Sequence, residues 1–141
     1  MSYKVTKENV WVAVIDDRPG ALYEKLNALS AGGADLELII TRRERKDRAL
    51  MFISPLRTPE AIQAAQKAGF SIADSLRNLR IAGPNAPGLG ARITGALAQA
   101  GISMRGYSAA SLGELSVTNI TYDSDADQEA AIAALNAALG L

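Results

Sequence analysis

Asp16-Asp17-Arg18-Pro19-Gly20-Ala21-Leu22 is the stretch that decides how the chain is read. Before it, Val10 to Ile15 is almost continuously apolar, with Trp11, Val12 and Val14, as an interior strand is. After it, Leu22, Leu26 and Leu29 recur at helical spacing, with Glu24 and Lys25 on the wetter side, until Gly32-Gly33 stops the pattern. The stretch is therefore a strand-to-helix turn. Asp17 has a short side chain suited to accept from N–H groups at a helix start. Pro19 fits a first helical position, where its missing N–H would have had no partner, and Gly20 lets a ligand or a neighbouring chain come close.

The same punctuation returns 68 residues later as Gly83-Pro84-Asn85-Ala86-Pro87-Gly88-Leu89. At that offset Pro19 lies over Pro87, Gly20 over Gly88, Leu29 over Leu97, Gly33 over Gly101 and Asp17 over Asn85. The chain reads as a duplication, with one unit over 1–74 and a second over 75–141. Units this small bury too little surface to be robust alone, so packing of the halves, and pairing with a second chain, is expected.

Between the turns, Leu36 to Thr41 reads as a strand, Arg42 to Arg48 as a charged connection turning near Lys46-Asp47, and Ala49 to Ile53 as the returning strand. Thr58-Pro59-Glu60 opens a helix with a cap, a proline and a carboxylate in its positive first turn, and Gly69 closes it. Phe70 to Ile72 is a short fourth strand. The order is that of a ferredoxin-like βαββαβ unit, an α+β fold with both helices on one face of an antiparallel sheet.

The second unit repeats it: a strand over Leu76 to Ala82, a helix from Pro87 to Gly101, strands over Ile102 to Ala109 and Leu115 to Tyr122, and a last helix capped near Ser124. Gly90 and Thr94 stand where the first unit has Leu22 and Leu26, shifting the buried stripe onto Leu89 and Ile93. No fourth strand remains. The unassigned segment 2–6 is expected to fill that vacancy, in its own chain or in a partner, because an open edge invites aggregation.

Composition narrows the chemistry. Fifteen basic and fifteen acidic residues cancel, so no net field recruits nucleic acid or an anionic membrane. Without cysteine or histidine, thiol chemistry and ordinary general base catalysis near neutral pH are missing, and no cofactor or metal is expected. Asp123, Asp125 and Asp127 alternate like calcium ligands, but the glycine and glutamate of such a loop are absent and a helix start explains them. The basic run Arg42, Arg43, Arg45, Lys46 and Arg48 is interrupted by Glu44 and Asp47 and reads as a solvated hairpin tip. No signal peptide or long apolar run is evident, so a soluble cytoplasmic protein is expected.

With these elements and both turns in view, the sequence resembles a tandem pair of ACT domains, small regulatory modules of amino-acid metabolism. The resemblance rests on Asp17-Arg18-Pro19-Gly20-Ala21-Leu22 with Gly33 and on Asn85-Ala86-Pro87-Gly88-Leu89 with Gly101, and runs from about Asn9 to Leu139. It implies a non-catalytic regulatory protein that binds an amino acid or similar metabolite between paired domains, forms a homodimer and acts on a separate enzyme. The residues it implies for the ligand are Asp17, Arg18, Gly20, Ala21 and Leu22, then Asn85, Ala86, Gly88, Leu89 and Gly90.

Two alternatives use the same fold. One is a ligand-free interaction module regulating an enzyme or transporter through a sheet edge. The other resembles the small acylphosphatases, with Asn85 and Arg92 as the comparison. Against it, the second turn has no arginine, and its alanine and proline cannot supply a run of inward N–H groups.

Overall fold

The computed structural model describes residues 2–141. The chain divides into two compact units. The first, Asn9–Ala73, is continuous and inserted within the second, which joins Asp74–Leu141 to the N-terminal segment ending at Glu8.

The inserted unit contains β2 (Trp11–Asp16), α1 (Ala21–Ala31), β3 (Leu38–Arg45), β4 (Arg48–Ser54), α2 (Pro59–Lys67) and β5 (Ser71–Ile72). Its sheet has the antiparallel order β3-β4-β2-β5, with Trp11 opposite Ile53 and Ala13 opposite Met51. Those four side chains are buried with Ile15, Leu29, Ala65 and Phe70 in one core. Alternation along β2 sends them to the helix side of the sheet, while half-exposed Val12 and Val14 point away. The start of α2 is as expected: the Thr58 hydroxyl accepts from the Ala61 N–H at 3.1 Å and Pro59 opens the helix. Lys25 on α1 donates to the Ala68 carbonyl at the end of α2, a cation at the negative pole of the helix.

Two details depart from expectation. The charged connection after Thr41 is strand: β3 continues to Arg45 with a bulge between Arg43 and Arg45, and only Lys46 and Asp47 form the turn. Charge does not prevent pairing where both faces of the hairpin are solvated, as they are from Arg42 to Arg45. Leu22, read as part of the buried stripe, is 39% exposed, and Ala21 takes the buried place.

The enclosing unit contains β1 (Lys4–Lys7), β6 (Arg77–Pro84), α3 (Leu89–Gln99), β7 (Gly106–Leu112), β8 (Leu115–Tyr122) and α4 (Asp125–Leu139). Its sheet order is β1-β6-β8-β7, so the N-terminal strand occupies the vacant fourth position within its own chain. Lys4 to Lys7 pair antiparallel with Ala82 to Leu79. Tyr3 and Val5 pack against a core of Leu79, Ile81, Ile93, Leu97, Ile120 and Leu135. The Tyr3 hydroxyl donates to the Pro84 carbonyl at 2.8 Å, and Lys7 pairs with Glu129. Gly83 makes this docking feasible, since a Cβ there would lie 3.0 Å from the Tyr3 Cα and closer still to its ring edge.

Tyr122 is fully buried in this core, and its hydroxyl meets no hydrogen-bond partner. Burial raises its pKa, because the phenolate would be cut off from water. Tyr122→Phe is expected to raise stability by about 1 kcal/mol, the desolvation cost of an orphaned hydroxyl. The wild type should also weaken in alkali. Above the ordinary tyrosine range, near pH 10, the unfolded chain releases this proton while the native state keeps it, so stability falls as pH rises. Denaturation midpoints from neutral pH to alkali should show a shallower decline in Tyr122→Phe. Equal slopes for the two proteins would exclude that origin.

Candidate functional site

Both strand-to-helix turns are built alike, and neither as the residue types suggested. Pro19 and Pro87 lie outside the helices, and the N-caps are Gly20 (φ 87°, ψ −11°) and Gly88 (φ 83°, ψ 2°). The Ala21 N–H donates to the Arg18 carbonyl at 3.3 Å and the Leu89 N–H to the Ala86 carbonyl at 3.1 Å. This is the geometry of a type II turn, in which proline sets the second residue and glycine supplies the positive φ of the third. Asp17 and Asn85 are therefore not helix caps.

What they do instead is repeated in both units. The Asp17 N–H donates to the Asp47 carbonyl at 3.2 Å, and the Asn85 N–H to the Glu114 carbonyl at 2.8 Å. Each strand-to-helix turn is thus tied through its backbone to the tip of the adjacent hairpin, Lys46-Asp47 or Gly113-Glu114. Sequence spacing gave no sign of this tie, because backbone groups are common to all residues.

Each helix start leaves donors open. Among the described residues, the N–H groups of Leu22 and Tyr23, and those of Gly90 and Ala91, donate to no protein oxygen. A Cβ built on Gly20 or on Gly88 would meet nothing within 4 Å. Two free donors at a helix N-terminus suit an anionic group.

The side chains differ sharply between the turns. In the first, charge is internally satisfied: Arg43 holds the Asp17 carboxylate at 2.7 Å, and Arg18 holds Glu24 at 2.7 Å with Asp16 at 3.7 Å. Hydrogen bonding and then the charge of Arg18 keep the Glu24 carboxyl below the usual carboxylate range, while Glu24 raises the Arg18 pKa in return. Arg18 points from the turn to Glu24 of α1. In the second turn, no hydrogen bond or ion pair engages the exposed Asn85 side chain among the described residues. Leu89 is buried, and a Cβ on Gly90 would lie 3.2 Å from the Tyr107 hydroxyl. The space beside Gly90 is thus taken by the hydroxyl of Tyr107 on β7.

Other candidates fall to structural roles. Arg92 donates through two nitrogens to the Ala138 carbonyl, at 3.0 and 2.6 Å, and so closes the end of α4 rather than facing Asn85. Asp123 pairs with Arg105 and Asp125 with Arg77, while Ser124 caps α4 by accepting from the Asp127 N–H. Among the described residues no group of acidic side chains is placed to hold a metal ion. In the basic hairpin, Arg45 pairs with Asp47 and Arg48 with Glu44, besides Arg43 with Asp17. No helix of the described residues is long and apolar enough to cross a membrane.

No protein-family model matches the chain, and no curated protein matches it in sequence. Solved structures do match in fold. Protein BT0572 from Bacteroides thetaiotaomicron is similar with a TM-score of 0.74 and 17% identity, over 89% of this chain and 87% of that one. The ligand-free regulatory subunit of aspartate kinase from Thermus thermophilus gives 0.62 and 18%, over 95% and 97%. Aspartate kinase from Clostridium acetobutylicum, described as an allosteric enzyme, gives 0.59 and 15%, over 97% of this chain and 34% of that one. The fold is that of such regulatory subunits.

Proposed function

We propose that this chain is a non-catalytic regulatory protein of the ACT type that binds an amino acid or a similar small metabolite at its strand-to-helix turns. The observation that carries this reading is the pair of helix starts, each with two unbonded N–H groups beside a glycine of positive φ. A carboxylate would lie against those donors. An ammonium group needs an acceptor, and the Asn85 side-chain oxygen is available for it. The corresponding Asp17 carboxylate is already held by Arg43. The second turn, with Asn85, Ala86, Gly88, Leu89 and Gly90, is therefore the stronger of the two. The first, with Asp17, Arg18, Gly20, Ala21 and Leu22, is the more self-contained copy.

Likeness in fold to an aspartate kinase regulatory subunit supports the regulatory part of the proposal. In this reading the protein works as a homodimer in the cytoplasm and passes its state to a separate enzyme. The ligand can do this only if it binds one conformation more tightly than another.

A thermal-shift screen of the natural amino acids tests the proposal. One chemical group should raise the melting temperature saturably, by up to about 2.7 kcal/mol of added stability at a hundredfold excess over Kd. Asn85→Ala should weaken that ligand roughly fivefold, the loss of one hydrogen bond of about 1 kcal/mol, and Asp17→Ala should weaken it less. The absence of any saturable shift across the whole set would end the amino-acid reading.

A further inference from the structure

The hairpin of β3 and β4 carries charge that its fold does not use. Residues 42–48 hold five basic side chains, Arg42, Arg43, Arg45, Lys46 and Arg48, against two acidic ones, Glu44 and Asp47, in a chain whose charges sum to zero. Residues 42–47 are all exposed. The duplication supplies a control. The matching hairpin of the enclosing unit turns at Gly113-Glu114 and is tied to its strand-to-helix turn by the same backbone hydrogen bond, yet residues 109–116 include no basic side chain. Neither the turn nor the tie needs an arginine. Three of the cations are met in place, Arg43 by Asp17, Arg45 by Asp47 and Arg48 by Glu44. Arg42 and Lys46 have no carboxylate partner among the described residues. Like charges crowded this closely repel one another and gain from an anionic partner.

We infer that this hairpin tip docks an acidic segment of a separate protein, with Arg42 and Lys46 taking its carboxylates. The inference goes beyond the ligand reading and does not depend on it. Arg42 offers a carboxylate two parallel donors, and Lys46 at the turn offers a compact charge. Charge complementarity selects a protein segment over nucleic acid. A phosphate backbone is tracked by a continuous basic groove with aromatic side chains on which bases stack. Here Glu44 and Asp47 interrupt the cations, and residues 42–48 contain no aromatic side chain. A peptide with spaced carboxylates can meet Arg42 and Lys46 while leaving the internal pairs intact. Because Arg43 holds Asp17, the docking surface adjoins the first strand-to-helix turn.

Fluorescence anisotropy with two labelled probes, a deca-glutamate peptide and a decauridylate RNA, tests the surface and the class of partner together. The wild type should bind the peptide, and more weakly as salt rises, since exposed charges are screened. Arg42→Glu combined with Lys46→Glu makes the tip net negative and should weaken the peptide roughly tenfold or more. Both side chains are exposed, so the melting midpoint is expected to stay that of the wild type. Should it fall, Arg42→Gln with Lys46→Gln keeps the bulk of both side chains and should still weaken the peptide about fivefold. Lys67→Ala, which removes an exposed cation from the end of α2, should leave peptide binding unchanged. Four results would overturn the inference: no binding of the peptide, equal binding by the hairpin variants, an equal loss in Lys67→Ala, or tighter binding of the RNA than of the peptide.

Discussion

Gly83→Val is expected to strip the N-terminal strand from its sheet, at a cost on the order of 3 kcal/mol. The first side-chain carbon would fall 3.0 Å from the Tyr3 Cα and from the root of the Tyr3 ring. Neither is the far end of a flexible side chain, so the collision cannot be relieved by a rotamer change. The backbone of β1 must move. Moving it removes Tyr3 and Val5 from the core, the hydrogen bond from Tyr3 to Pro84 and the ladder from Lys4 to Lys7. For a small domain this is a large share of its stability. Urea midpoints of Gly83→Val, Tyr3→Ala and the double variant would check it. The double variant should lose less than the sum of the singles by more than 1 kcal/mol, because contacting residues couple. Additive losses, or a Gly83→Val protein within 0.5 kcal/mol of wild type, would show that the close approach carries no such weight.

Ile120→Ala should be the other severe change, costing roughly 2–5 kcal/mol. Ile120 is fully buried on β8 among Leu79, Ile81, Ile93 and Leu97, and belongs to a core separate from that of the inserted unit. Its loss should therefore be felt locally. Native-state amide exchange should accelerate in β6, β8, α3 and α4, while β2 and β4 keep their protection, since cooperative regions open with their own free energies. Ile53→Ala should give the reverse pattern. Equal acceleration in both units after either change would mean that the two cores do not act independently.

Much of this architecture could be read from residue order. The duplicated Pro-Gly turns, the glycines that end the helices and the missing fourth strand led to two βαββαβ units and a displaced N-terminal strand. Local signals were reliable where one residue type has one use: Thr58 and Ser124 cap their helices through their hydroxyls. They misled where a residue has two. Pro-Gly can open a helix with proline in its first turn or form a type II turn before it. The distinction lies in the backbone angle of Gly20 and Gly88. With the turn placed one step earlier, Asp17 and Asn85 are too far from the helix to cap it. The charged stretch after Thr41 was misplaced because hydrophobic alternation, the usual mark of a strand, ceases where both faces meet solvent.

The candidate site was less legible. The sequence indicated which turns to inspect, and the structure brings Asp17, Arg18, Gly20, Ala21 and Leu22 to one helix start and Asn85 through Gly90 to the other. It gave no means of telling which charges would be consumed internally. The partner of Asp17 is Arg43, 26 positions further on in the basic hairpin, and Tyr107 reaches Gly90 from 17 positions beyond it. Such pairings follow from sheet register, which was not derivable for β3 and β7 from their own patterns.

The placement of β1 also imposes a schedule on synthesis. Tyr3 leaves the ribosome well before its acceptor at Pro84, which lies 81 positions later, on the order of ten seconds of elongation. The inserted unit has its whole sheet available within that interval and can fold while the enclosing one waits. The strand that completes the enclosing unit is thus made before the rest of that unit, and closing so long a loop makes its docking a late event in folding.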